Sequence, residues 1–245
     1  MTAIVIPVSN AIPASATSSC LASAPAGASY IATVCIGLPA EGAKLTGDAQ
    51  VTASISFSGT SPGVQRMIFS LDGQYLITDY AAPYQFTLSS AKYVDGAHVL
   101  TVQAMLRDTF VTQAAGVNLT FNNGITTPPV NTNTFTPATG TPAASGQPFV
   151  LAAAGDGAGG EPSEFSTTAE IASWNPNLFV YLGDVYEKGS PAEFQNWYGA
   201  SAGYGQFRPI TDPAIGNHEY TAGQAPGYFD YWDNAPHYYL SLIHI

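Results

Sequence analysis

Positive charge is what this sequence has least of. Six Lys and Arg stand against 17 Asp and Glu over 245 residues, the formal net charge is −11, and charged residues make up 9% of the chain. So few cations cannot neutralise a phosphate backbone, which excludes nucleic-acid binding by electrostatics. Cysteine is almost missing as well. Cys20 and Cys35 can pair in an exported protein or stand as two ordinary thiols, and two are too few for a disulfide scaffold. No apolar run approaches the roughly 18 to 20 residues that span a bilayer, so no membrane-crossing helix is expected. The start, MTAIVIPVSNAIPASATSSC, has no positive n-region, because the first Lys is Lys44. Two readings follow: a cytoplasmic protein, or a native N-terminus upstream of Met1.

What is plentiful is apolar and turn-forming. With 46% hydrophobic residues, 12% aromatics, 24 Gly and 18 Pro, the composition is that of a loop-rich, β-containing globular protein. Residues 1–29 are rich in Ala, Ser and Pro without a sustained period and read as a flexible lead-in. Over 30–124 the pattern alternates: Val51, Ala53, Ile55, Phe57; Tyr84, Phe86, Leu88; Leu100, Val102, Ala104; Val117, Leu119, Phe121. Period two puts one face in a core and the other in water, so these are strands. Asp72-Gly73, Ala82-Pro83, Asp95-Gly96 and Asn123-Gly124 supply turns between them, which predicts a β-sandwich. The uncharged stretch 125–147, dominated by Thr, Pro, Asn, Ala and Gly, reads as an extended linker.

From 148 onward the balance changes. Eleven acids meet only Lys188 and Arg208 there, a net −9, against −2 for residues 1–147. A solvated acidic face would account for this, and so would a divalent-cation site. The apolar runs 149–154 and 178–182 end in Gly155-Asp156 and Gly183-Asp184, and a less distinct run, 209–215, ends in Gly216-Asn217-His218-Glu219. Between the first two, Ser163 to Trp174 spaces Phe165, Ala169, Ala172 and Trp174 for one helical face. After the second, Ser190-Pro191-Ala192-Glu193 combines an N-cap, a first-turn Pro and a capping-box Glu ahead of an apolar stripe of Phe194, Trp197 and Tyr198. The separations of Asp156, Asp184 and Asn217, 28 and 33 residues, each fit one strand-helix-strand unit. Parallel strands bring their carboxyl ends to one sheet edge, where these side chains can converge.

Two resemblances rest on these motifs. The run FSLDGQYLITDYAAPYQFTL followed by VDGAHVLTVQAML resembles bacterial immunoglobulin-like modules of exported multidomain proteins, and His98 within it reads as a packing residue. GDG, then GDVYEKG, then GNHEY resembles the calcineurin-like metallophosphoesterases, especially their purple-acid-phosphatase-like secreted branch. The expected fold is therefore multidomain: an all-β Ig-like sandwich over 30–124, then over 148–245 the first half of an α/β four-layer αββα domain. The resemblance implies two divalent or mixed-valence metal ions, such as Fe, Zn or Mn, and a phosphate-ester substrate. It implies that Asp156 binds the first metal, Asp184 bridges both, Asn217 binds the second, and His218 assists the leaving group or the transferring phosphoryl. Ala158 stands where the first motif often carries a His or Gly. Tyr186 follows Asp184 by two residues, one short of the purple branch's chromophoric Tyr, and Glu187 occupies that place. Tyr186 is thus a candidate ligand out of register with the family.

The family also draws His ligands from motifs beyond GNHE. Here the later histidines are His237, which reads as surface packing, and His244, which lies in LSLIHI (240–245), a stretch that resembles a translated sequencing adapter. The chain therefore reads as the front half of an enzyme, inactive as given, extracellular, periplasmic or cell-surface in location. Two other readings compete. Gly155 to Gly160 satisfies G-x-G-x-x-G after a strand, as in dinucleotide sites, although Glu161-Pro162 stands where the helix should open. Alternatively the Ig-like module contacts polysaccharide and the α/β part is degenerate, with Tyr228, Phe229, Tyr231 and Trp232 lining a sugar site.

Overall fold

The alternating apolar residues become the inner faces of two sheets. A computed structural model describes residues 19–241; residues 1–18 of the expected lead-in and residues 242–245 of the adapter-like end, with His244, lie outside the described residues. The N-terminal strands are β1 (Cys20–Ser23), β2 (Tyr30–Leu38), β3 (Ala43–Leu45), β4 (Asp48–Gly59), β5 (Val64–Leu71), β6 (Gln74–Asp79), β7 (Tyr84–Ser89), β8 (Gly96–Leu106) and β9 (Ala115–Phe121). They form a four-stranded sheet in the order β1-β2-β4-β7 and a five-stranded sheet in the order β3-β9-β8-β5-β6. Val34, Val51 and Phe86 from the first sheet meet Phe69, Leu100, Val102 and Val117 from the second in one buried core. The sandwich begins earlier than residue 30. Cys20 lies opposite Cys35 in the β1/β2 register and the two form a disulfide, so the tail of the expected lead-in is an edge strand. His98 is a packing residue: it stacks on Phe121 at 4.1 Å while its two ring nitrogens meet Asp72 and the Val94 carbonyl.

The C-terminal part is a three-stranded parallel sheet in the order β10-β11-β12, with β10 at Leu151–Ala154, β11 at Leu178–Tyr181 and β12 at Thr211–Pro213. Helix α1 (Pro162–Ser173) connects β10 to β11. Its buried face differs from the expected one: Glu164, Thr168 and Ile171 point inward, whereas Phe165 and Trp174 are exposed. Thr168 turns inward because its hydroxyl donates to the carbonyls of Glu164 and Ala202. The capping box at Ser190 and Glu193 forms as the spacing predicts and opens α2 (Pro191–Glu193), which continues as a π-helical turn burying Phe194, Trp197 and Tyr198. Helix α3 (Pro226–Tyr231) packs its Tyr228 into the same core. Among the described residues the α/β part has one three-stranded sheet, with a second sheet of a four-layer fold not among them.

The two parts share a core. Ala192 and Trp197 of the α/β part sit in the sandwich cluster, and Trp197 Nε1 donates to the Thr78 carbonyl at 3.0 Å. Asn196 pairs with the main chain of Thr87 on β7 through both its side-chain atoms. Residues 125–147 form no helix or strand, but they are bound along the α/β part: Asn131 donates to the Phe229 and Asp230 carbonyls, and Asp212 accepts from the Ala138 amide.

Glu193 gathers this junction. Fully buried, it accepts the Tyr75 hydroxyl and the Thr78 amide from the sandwich, and the amides of Glu187, Lys188 and Ser190 from its own part. Burial pushes its carboxyl up, and the converging donors oppose that. Glu193→Ala leaves these donors unpaired in a dry interface, a loss on the order of 3 kcal/mol or more. We expect wild type to unfold in one denaturant transition and Glu193→Ala in two, monitored by Trp fluorescence and far-UV circular dichroism; a single unshifted transition would contradict the clamp.

Candidate metal and phosphoryl site

Three strand ends build the site. Asp156 lies just past β10 with φ +58°, Asp184 just past β11 with φ +67°, and Gly216-Asn217-His218 just past β12. Both Asp residues occupy the left-handed region, where a short polar side chain is tolerated and from which the chain turns away from its strand. Glycine is required where two of these ends meet. A Cβ on Gly216 would sit 2.1 Å from Asp184 Oδ1, and one on Gly183 would sit 2.3 Å from the Gly216 nitrogen.

Hydrogen bonds then tie the ends together. Glu219 is buried and accepts the amides of Asp184 (3.1 Å) and Gly216 (2.9 Å) on one oxygen and that of Val185 (2.8 Å) on the other. The His218 amide donates to Asp184 Oδ1 at 2.9 Å. His218 Nδ1 lies 2.7 Å from the Glu187 carbonyl, which can only accept, so Nδ1 carries the proton. The His218 ring packs against Tyr186 at 4.3 Å, and the Tyr186 hydroxyl donates to Asp156 Oδ1 at 2.6 Å. Asp156, Tyr186, His218 and Asp184 are thus one connected group, and Asn217 follows in the same loop as His218. That bond to Asp156, with burial second, raises the Tyr186 phenol.

Among the described residues, Asp156 Oδ2, Asp184 Oδ2, the Asn217 amide and His218 Nε2 have no hydrogen-bonding partner. Among the same residues no three His, Cys, Asp or Glu side chains come together as a metal cluster. The group holds two carboxylates and an imidazole nitrogen, with the Asn217 amide in the adjoining loop, donor types suited to hard and borderline cations. Beside Asp156 opens a cleft of about 510 Å³, walled by Tyr80 of the sandwich and by Tyr186, Tyr204, Glu161 and Glu164.

The competing readings meet specific obstacles. The Gly159 and Gly160 amides, which a dinucleotide pyrophosphate would need, both donate to Glu164 Oε2. Tyr228 and Trp232, proposed for a sugar site, are 1% and 4% exposed, and Phe229 and Tyr231 pack against the same core. His237 packs against Tyr220 and Phe229. Sequence reasoning missed the clamping roles of Glu164 and Glu219, although Glu219 stands inside the GNHE motif. It also missed Tyr80, which reaches the cleft from another part of the chain.

Gly216→Ala forces the Asp184 carboxylate aside and should cost about 1–3 kcal/mol, read as a lower melting temperature. Glu164 gives a pH dependence. Burial raises it to about 7 against the pull of the Gly160 and Gly159 amides, so between about 4.5 and 7 the folded state holds a proton that the unfolded state releases. Its contribution to stability is present below pH 4.5 and lost as pH rises through 7. Glu164→Gln should flatten the fall in melting temperature over that window, and an unchanged slope would count against this assignment.

Comparison with known proteins finds a family match within the sandwich. Residues 33–102 match the family model of the bacterial Ig domain. No curated protein matches the chain. Among solved structures, the fibronectin(III)-like modules of Clostridium thermocellum CbhA are 23% identical, cover 37% of this chain and 96% of their own, and give a TM-score of 0.31. The endo-beta-1,4-mannanase of Thermotoga petrophila (15% identity, 37% of this chain and 19% of its own, TM-score 0.32) and CopC of Methylosinus trichosporium OB3b (16%, 36% and 91%, 0.25) are similar to the chain over comparable spans.

Proposed function

We propose that the α/β part is a metal-dependent phosphoesterase unit and contributes Asp156, Asp184, Asn217 and His218 to its site. The observation that supports this reading is the run of contacts from Asp156 through Tyr186 and the His218 ring to the Asp184 carboxylate at one edge of a parallel sheet. Cations held by these residues would supply Lewis-acid activation of water and charge neutralisation at the phosphate oxygens. Asp156 and Asp184 would hold the cations through carboxylate oxygens and Asn217 through its amide oxygen. His218, with its proton fixed on Nδ1, keeps the Nε2 lone pair for a proton at the leaving oxygen or for a metal. Glu219 keeps the loops after β11 and β12 in register, so the Asp184 carboxylate cannot drift from His218.

Other features support the same reading. Leu151 and Leu182 are 51% and 57% exposed along the sheet, which suits a further layer of the αββα kind. The Cys20–Cys35 disulfide and the bacterial Ig-domain match support an extracellular, periplasmic or cell-surface location.

The test is metal binding by the chain as it exists. Mn²⁺ or Zn²⁺ at a hundred times its Kd should stabilise wild type by about 2.7 kcal/mol, seen as a rise in melting temperature. Asp184→Asn and Asp156→Asn should abolish the rise. A wild type unmoved by either ion would overturn the proposal.

A further inference from the structure

The loop after Asp184 is held from two directions, and one of them is the sandwich. Arg66 on β5 pairs with the Glu187 carboxylate at 3.2 Å, and the Tyr80 hydroxyl donates to the same Glu187 oxygen. The Glu187 amide is fixed by Glu193, which is itself bound to Tyr75 and Thr78 of the sandwich. The Glu187 carbonyl is the group that receives Nδ1–H of His218. A single residue of the α/β part thus has its side chain and its amide anchored to, or through, the Ig-like module, while its carbonyl sets the imidazole.

We propose that the Ig-like module is a positioning element of the site: Arg66 and Tyr80 hold Glu187 so that its carbonyl locks His218 as the Nδ1–H tautomer. A backbone carbonyl orients an imidazole only as firmly as its own peptide is held. In a loop without regular structure that firmness has to come from outside, and here it comes from residues more than a hundred positions earlier in the chain. Arg66 and Tyr80 are positioning residues, since neither touches Asp156, Asp184 or His218. Glu187 acquires a role distinct from ligation, in the place where a chromophoric Tyr would otherwise stand. The importance of this seating for phosphoryl transfer rests on the function proposed above, whereas the seating itself does not.

Long-range ¹H–¹⁵N correlation of the His ring signals tests it on the full chain, with His218 assigned by His218→Gln. Wild type should show His218 as a single Nδ1–H species. The double variant Arg66→Met/Tyr80→Phe should lose that species in favour of averaged shifts from interconverting tautomers, while the His98 signals stay in place. Arg66→Lys, which keeps the charge, should restore most of the wild-type pattern in a Tyr80 background. Lys92→Ala, which breaks the separate Lys92–Asp230 pair between the same two parts, should leave His218 unchanged. If the double variant fails to fold, Arg66→Met alone, at a partly exposed position, is read the same way. The proposal is overturned if the folded variant keeps the wild-type ring pattern, or if Lys92→Ala disturbs it equally. The measurement needs neither metal nor turnover, so a chain that hydrolyses nothing but shows this response would count against the function alone.

Discussion

A buried carboxylate at the seam between the two parts is the constraint on which the remainder depends. Glu193 caps the turn that begins at Ser190, and the same two oxygens reach across to Thr78 and Tyr75 and back to the amides of Glu187 and Lys188. A capping box ordinarily fixes the entry of a helix and adds about a kilocalorie. Here it also fixes where the sandwich sits and where the loop after Asp184 returns, so helix start, domain placement and site geometry share one group.

Glu193 is one of three buried glutamates that act alike. Glu164 draws the Gly159 and Gly160 amides onto the start of α1, and Glu219 draws the amides of Asp184, Val185 and Gly216 together. Each accepts from loop amides that would otherwise be lost in a water-poor interior. The concentration of acid after residue 148 therefore has two destinations. Some carboxylates are turned inward to organise loops, and Asp156 stays exposed at the sheet edge with Asp184 just beneath it. Neither a solvated face nor a cation site accounts for the inward group.

Much of the sandwich was legible because its signal is local. Alternation at Val117, Leu119 and Phe121 states which side chains face the core, and Asp72-Gly73 supplies the two positive φ angles of a tight hairpin. The strand ends were legible for a similar reason: an apolar run stopping at Gly-Asp marks both the stop and the side chain. What could not be read depended on distant partners. The inward face of α1 follows from Thr168 finding the Ala202 carbonyl, whereas the helical spacing of Phe165 and Trp174 put on the inner face two residues that stay largely exposed. The edge strand at Cys20 lies in a segment whose Ala and Ser content carries no period. Tyr80 and Arg66 read as ordinary sandwich residues until Glu187 stands opposite them.

The shared core also bears on how such a protein is assembled over evolutionary time. A 23-residue stretch of Thr, Pro and Ala between two units looks like the hinge of a cassette that can be exchanged or cut free. Yet Trp197 and Ala192 are seated in the sandwich, and the stretch itself is bonded along the α/β surface. Severing the covalent thread would leave the halves held by their packing. Replacing the module with another of the same fold would leave Trp197 without a seat unless the newcomer brought a matching socket.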